Sequence, residues 1–230
     1  MTSVHHMANG RSILVISVAL CAAFLTVSCG GAPPEILFAD AQMFLFNDLS
    51  TGSVHESLRL YVAVNDGDGV DDLGLLSIVH DETELFWQAG PEDWVTVDQD
   101  GDSWIGLPDL RMPSGSVFPR GRYRVLLEDK ARQEAEGSFG ITAPPVDPET
   151  AEFPRLAEDE DGIRVIADES VVVRVFNRTG KLILSQVASP GILGETILRE
   201  LPGEPGLQAY LSYPPGQAIR LMSGPYEVDR

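Results

Sequence analysis

From Leu58 the chain alternates strictly between apolar and other residues. Leu58, Leu60, Val62 and Val64 fall on one side of an extended segment, with Arg59, Tyr61 and Ala63 on the other, the period of two expected of a half-buried antiparallel strand. A helix would scatter those four apolar side chains around its circumference. Asn65 to Asp72 then sets two glycines among aspartates. Glycine takes positive φ freely and aspartate bonds its own backbone, so the chain must turn there. Leu73, Leu75, Ser77 and Val79 resume the alternation.

The same reading predicts one or two short strands over Ile36 to Phe46. Further strands follow at Leu58–Val64, Leu73–His80, Leu85–Gln88, Trp94–Val97, Ser103–Gly106, Tyr123–Glu128 and Ala135–Ile141. Glycine, proline and aspartate clusters separate them, and no amphipathic helix of three turns interrupts them, which is the signature of a sandwich or barrel. Thr142 to Glu149 carries three prolines in eight residues, too many for a central strand, and reads as a semi-rigid linker. Beyond it the acidic run Glu158 to Asp161 reads as a solvated loop. Gly162–Ala167 and Ser170–Phe176 alternate, with Val171, Val173 and Val175 on one side. Asn177 to Gly180 before Lys181–Gln186 reads as a hairpin turn. Ile192–Leu201, Gln208–Tyr213 and Gly224–Val228 complete the strands. The fold class is therefore all-β. The expected divisions are a cleaved leader at 1–28, a tether at 29–35, a β-sandwich at 36–142, a proline-rich linker at 143–151 and a smaller all-β domain at 152–230.

At Gly121-Arg-Tyr-Arg-Val the pattern becomes more specific. Together with the Asp-Gly turn after Val64, Phe118-Pro-Arg-Gly121 before the strand and Asp129 at its end, it resembles bacterial immunoglobulin-like domains. The resemblance implies an Ig-like sandwich in which Tyr123 is a structural corner tyrosine, its hydroxyl tied back to the preceding turn, with Val125 in the core. Arg132-Gln133 stands where such domains often place a glycine and asparagine turn. The resemblance identifies a fold and leaves the activity open.

The N-terminus reads as a targeting segment. A head containing Arg11 precedes the apolar run Ile13 to Val27, which suits a signal-peptide core and is short for a spanning helix of about 20 residues. The run ends Leu25-Thr-Val-Ser-Cys29-Gly-Gly, which resembles a bacterial lipobox of the loose kind seen in spirochaete lipoproteins, with Thr26 where leucine is usual. The resemblance implies cleavage before Cys29 and its acylation. Cys21 would be lost with the leader, leaving Cys29 as the mature chain's one cysteine, so no internal disulfide is available and the lone thiol is accounted for by lipid. The partner implied is a membrane, reached through the lipid anchor. No aspartate follows Cys29, and the outer membrane is the expected location.

Charge narrows the partners. The formal net charge is −19, with two lysines beside fourteen arginines, and a surface of that sign repels phosphate, so no nucleic-acid partner is expected. His55 and His80 lie far apart without cysteine or a second histidine at ligand spacing, and no Gly-x-Ser-x-Gly elbow or phosphate-cradling glycine loop occurs. Phe86, Trp87, Trp94 and Trp104 read as core packing, or as a platform for a glycan or protein if exposed together. The acidic turns hold the remaining chemistry. In an Ig-like sandwich Asp66, Asp68, Asp71 and Asp72 face Glu128 and Asp129, and Asp98 to Asp102 joins them only if an even number of strands lies between. These aspartates either close turns or converge on a hard cation such as Ca²⁺, with Asp66, Asp68, Asp71, Asp72 and Asp129 as ligands; no other cofactor is implied. The functional expectation is a non-enzymatic envelope lipoprotein that binds or scaffolds an unidentified protein or glycan. Its alternatives are a glycan-acting enzyme, with two carboxylates across a deep pocket, and an accessory subunit marked by an exposed apolar patch.

Overall fold

The computed structural model describes residues 31–113, 117–160, 162–193, 201, 203 and 205–228; the leader and Cys29 lie outside them. In chain order the strands are β1 (Glu35–Asp48), β2 (Ser53–Asn65), β3 (Leu73–His80), β4 (Leu85–Ala89), β5 (Val95–Gln99), β6 (Asp102–Arg111), β7 (Gly121–Asp129) and β8 (Glu134–Ile141). After the proline-rich segment come β9 (Arg155–Asp159), β10 (Gly162–Ile166), β11 (Val171–Phe176), β12 (Leu182–Ala188), β13 (Gly191–Ile192), β14 (Leu207–Ser212) and β15 (Ile219–Val228). The one helical element among the described residues is a single 3₁₀ turn, Val70–Asp72.

The strands form three sheets. One has eight strands in the order β12-β11-β14-β15-β1-β2-β6-β5; the others are β4-β3-β7-β8 and β13-β10-β9. The β1-β2-β6-β5 half of the large sheet covers the four-stranded sheet, and the alternating residues of the sequence meet between them: Leu58, Leu60 and Val62 pack with Leu76, Ile78, Val125 and Leu127. The other half covers the three-stranded sheet around Val165, Val171, Val173, Val175, Leu207 and Leu211. The halves join where β15 runs parallel to β1, Met43 to Asp48 lying opposite Ile219 to Gly224.

The segment between β8 and β9 lies along the protein. Ala143, Val146, Ala151 and Phe153 pack against the first core. The Arg120 Nε donates to the Ala143 carbonyl at 2.6 Å, and the Ser223 hydroxyl donates to the Pro154 carbonyl.

Two strand expectations change. The run Glu158 to Asp161, expected as a solvated loop, begins inside β9, where Glu158 and Asp159 lie opposite Ile163 and Gly162. Leu156 opposite Val165 supplies the apolar pair that holds this hairpin. The Ile192–Leu201 strand is represented by β13 at its start, and residues 194–200 lie outside the described part. β4 and β5 resolve the strand count. β4 is antiparallel to β3, and β5 is antiparallel to β6, which is itself antiparallel to β2. Both therefore run the same way, as two halves of one traverse that switches sheets between Gly90 and Trp94. Three strands separate β3 from β7 but make only two traverses, so the β5–β6 turn reaches the end of the sandwich that carries the β2–β3 and β7–β8 loops.

Candidate binding surface

The acidic end is built by turn chemistry. The Asp66 Oδ1 accepts the Asp68 N–H at 2.9 Å, and the Asp66 carbonyl accepts the Gly69 N–H at 3.1 Å. Lys130 ties the two loops together: its N–H donates to the Asp72 carbonyl at 2.8 Å and its Nζ to the Asp71 carbonyl at 2.6 Å. Asp129 is buried and its Oδ1 accepts the Gln133 N–H at 2.8 Å. Arg132 takes a left-handed φ of 69°, the conformation that glycine or asparagine adopts more easily at such a turn. Asp100 and Gly101, at φ 55° and 92°, are the two-residue connection of the β5–β6 hairpin, and positive φ at both positions is what a type I′ turn requires.

Asp66, Gly69, Asp102 and Ser103 line a shared cavity of about 350 Å³, so the third acidic turn does join this end. One carboxylate oxygen each of Asp66 and Asp129 is buried without a hydrogen-bond partner. Among the described residues no group of three or more His, Cys, Asp or Glu side chains converges so as to hold a metal ion. Two unpartnered oxygens are few against the six to eight that Ca²⁺ takes, and the turn-closing role leads us to expect no change in Tm between millimolar calcium and chelator at constant ionic strength. A rise would instead show that these loops take up the cation.

Tyr123 is fully buried on β7. Its hydroxyl donates to the Pro119 carbonyl at 2.7 Å, its ring stacks on Phe139 at 5.0 Å, and burial pushes the phenol well above its usual range. The tryptophans are separated. Trp87 stacks on Phe118 at 5.5 Å, Trp104 meets Phe38 edge-on at 6.4 Å, and Trp94 packs against the first core. Phe86 is exposed.

A second concavity lies where the two sandwiches meet. It encloses about 750 Å³ and is lined by Asn47, Glu152, Arg155, Asp168, Tyr213 and Tyr226 among others. The Tyr213 hydroxyl donates to the Glu152 carbonyl at 3.4 Å, and burial foremost raises its pKa. This bond runs to backbone, holding the segment between β8 and β9 to the residue that follows β14.

The outer face of the eight-stranded sheet is different in kind. Met43 and Leu45 point into the first core, so Phe44 and Phe46 point away from it, yet they are only 3% and 8% exposed. Side chains from neighbouring strands cover them. The Arg59 guanidinium lies 4.7 Å from the Phe44 ring centroid and that of Arg220 lies 5.6 Å from it, close enough for cation–π attraction. Tyr210 approaches Phe46 at 6.2 Å. Arg174, opposite Tyr210 in the β11–β14 ladder, donates from Nη1 to the Ser212 hydroxyl at 3.2 Å. At one edge Asp109 accepts both from the Ser57 hydroxyl at 2.7 Å and from Arg111. Despite its burial, those bonds hold the Asp109 carboxyl below the usual carboxylate range. Periodicity alone identified none of these arginines as a group. Each stands singly on the non-core side of an apolar strand, and the β11–β14, β14–β15 and β1–β15 pairings bring them to one face.

No protein-family model matches the chain, and no curated protein matches it. Solved structures are similar in part. The 47-kilodalton lipoprotein of Treponema pallidum, Tp47, is 14% identical over 86% of this chain and 53% of its own, with a TM-score of 0.37; this chain thus spans about half of that protein. Latent PorU from Porphyromonas gingivalis is 15% identical over 85% of this chain and 20% of its own, with a TM-score of 0.31. A 1.5-MDa bacterial ice-binding adhesin gives 12% identity over 87% of this chain and 66% of that one, with a TM-score of 0.26.

Proposed function

We propose that this chain is a non-enzymatic envelope lipoprotein, anchored through Cys29 to the outer membrane, whose first sandwich is Ig-like and whose exposed sheet serves binding or scaffolding. The strand orders β1-β2-β6-β5 and β4-β3-β7-β8 support the Ig-like reading, being the A-B-E-D and C-F-G arrangement with one extra edge strand. The observation that carries the anchored reading is how directly the chain enters the fold after Cys29. The Gly31 carbonyl accepts from the Gln133 Nε2 at 2.9 Å, and Glu35 is already paired with Asn65. An acyl group on Cys29 holds the sandwich close to the bilayer, with the β2–β3, β5–β6 and β7–β8 turns on the membrane side. The acidic end is then the end least open to a large partner. The outer sheet face rises from it, open to one.

Cys29→Ser tests the anchor. Because acylation needs the thiol, the variant is expected to accumulate as uncleaved precursor or to leave the detergent phase, whereas the parent chain partitions into detergent. Unchanged partitioning of a processed Cys29→Ser chain would overturn the anchor. Cross-linking the anchored chain in intact cells addresses the binding role, which predicts recovery of a discrete partner through the sheet face.

A further inference from the structure

Thirty-five acidic residues accompany sixteen basic ones in this chain, so an arginine on its surface is expected to find a carboxylate. Arg111, Arg120, Arg124 and Arg132 do. Arg59, Arg174 and Arg220 form no ion pair among the described residues, although they come from three different strands to one face. Asp40 acts on Arg220 through space without pairing with it. The Arg220 Nε is buried and donates to nothing. Burial first, and then the neighbouring arginine charges, pulls Arg174 and Arg220 below the ordinary arginine pKa; both nevertheless stay charged at neutral pH. Two of these like charges share the Phe44 ring and the third stands near them on the same sheet face; they repel one another, and a bound anion would compensate them.

We propose that Arg59 and Arg220, over the ring of Phe44, together with Arg174 beside them on the same sheet face, form a binding site for a tetrahedral oxyanion, phosphate or sulfate. Guanidinium forks match oxyanions in pairs of parallel hydrogen bonds. A carboxylate has two oxygens and is satisfied by one fork; a tetrahedral oxyanion has enough acceptors for three. Phe44 offers the anion no competing acceptor, and the Ser212 hydroxyl already orients Arg174. Beside Arg59 a cavity of about 210 Å³, also lined by Tyr210, Met222 and the paired Asp109 and Arg111, leaves room for an organic group carrying the oxyanion. The site does not depend on the lipid anchor.

The test is thermal unfolding of the purified full chain in chloride buffer, with inorganic phosphate, sulfate or acetate added at constant ionic strength. Phosphate, sulfate or both are expected to raise Tm by roughly 2–4 °C at about five times the dissociation constant, and acetate is not. The tetrahedral anion giving the larger rise at equal concentration identifies the group the site prefers. Both anions also stabilise folded proteins by exclusion from their surfaces, so variants decide. In Arg220→Met the anion-dependent rise is expected to be lost, while the anion-free Tm stays level or increases because an uncompensated charge has gone. Arg220→Lys, which keeps the charge without the planar fork, retains part of the rise. Arg174→Met provides the same comparison from a second strand. A rise as large in the Met variants as in the parent would place the anion elsewhere and overturn the site. No rise with either anion in the parent would do the same.

Discussion

Glu56→Ala is expected to destabilise the protein by about 3–5 kcal/mol, the usual cost of stranding one member of a buried ion pair, and to lower Tm by roughly 6–20 °C. The Glu56 side chain is 1% exposed. One oxygen accepts the Phe118 N–H at 2.8 Å and the Arg120 Nη1 at 2.9 Å, while the other accepts the Arg120 Nη2 at 2.5 Å. Arg120 in turn reaches the Phe118 and Ala143 carbonyls, both at 2.6 Å. One carboxylate on β2 therefore fixes the crossing from β6 to β7 and the start of the proline-rich segment. Thermal melts of Glu56→Leu, Arg120→Met and the double variant supply the check. The double variant should lose less than Glu56→Leu alone, because no charge is left buried without its partner. A strictly additive double variant would show that the pair works through packing alone.

Tyr123→Ala should cost about 3–5 kcal/mol, the range for emptying a large aromatic site from a core. Tyr123→Phe separates two contributions. It keeps the ring against Phe139 and His80 but leaves the Pro119 carbonyl without its donor, and we expect a loss of about 1–3 kcal/mol from that alone. Chemical denaturation measures both. A Phe variant as stable as the parent would mean that water replaces the hydroxyl at this corner.

Where side-chain period and turn composition decide a structure locally, the sequence was sufficient. The Leu58–Val64 alternation became the inner face of β2, with Leu58, Leu60 and Val62 wholly buried. Asn177 closed the expected hairpin, its Oδ1 accepting the Thr179 and Lys181 N–H groups at 3.1 and 3.0 Å. Long-range pairing was harder to read. From Asn47 to Ser57 the chain is largely polar, yet it forms the end of β1 and the start of β2, because Glu56 is paired and Phe46 is covered by neighbouring strands. The arginine face shows the same limit. Arg59 and Arg220 lie 161 positions apart in the chain, and nothing local to either shows that both will stand over Phe44.

The parallel pairing of β1 with β15 also governs how the molecule bears load. β1 enters at the acidic end, where Glu35 lies opposite Asn65, and β15 continues beyond Gly224 to Val228, away from that end. A pull between the chain before β1 and the chain at Val228 therefore acts along both strands in opposite directions. Six residue pairs, Met43 with Ile219 through Asp48 with Gly224, are sheared together instead of being peeled apart one at a time. Rupture in that geometry requires many hydrogen bonds to fail at once. A molecule held at its N-terminal side and tugged through its second sandwich would meet the force in shear along this seam.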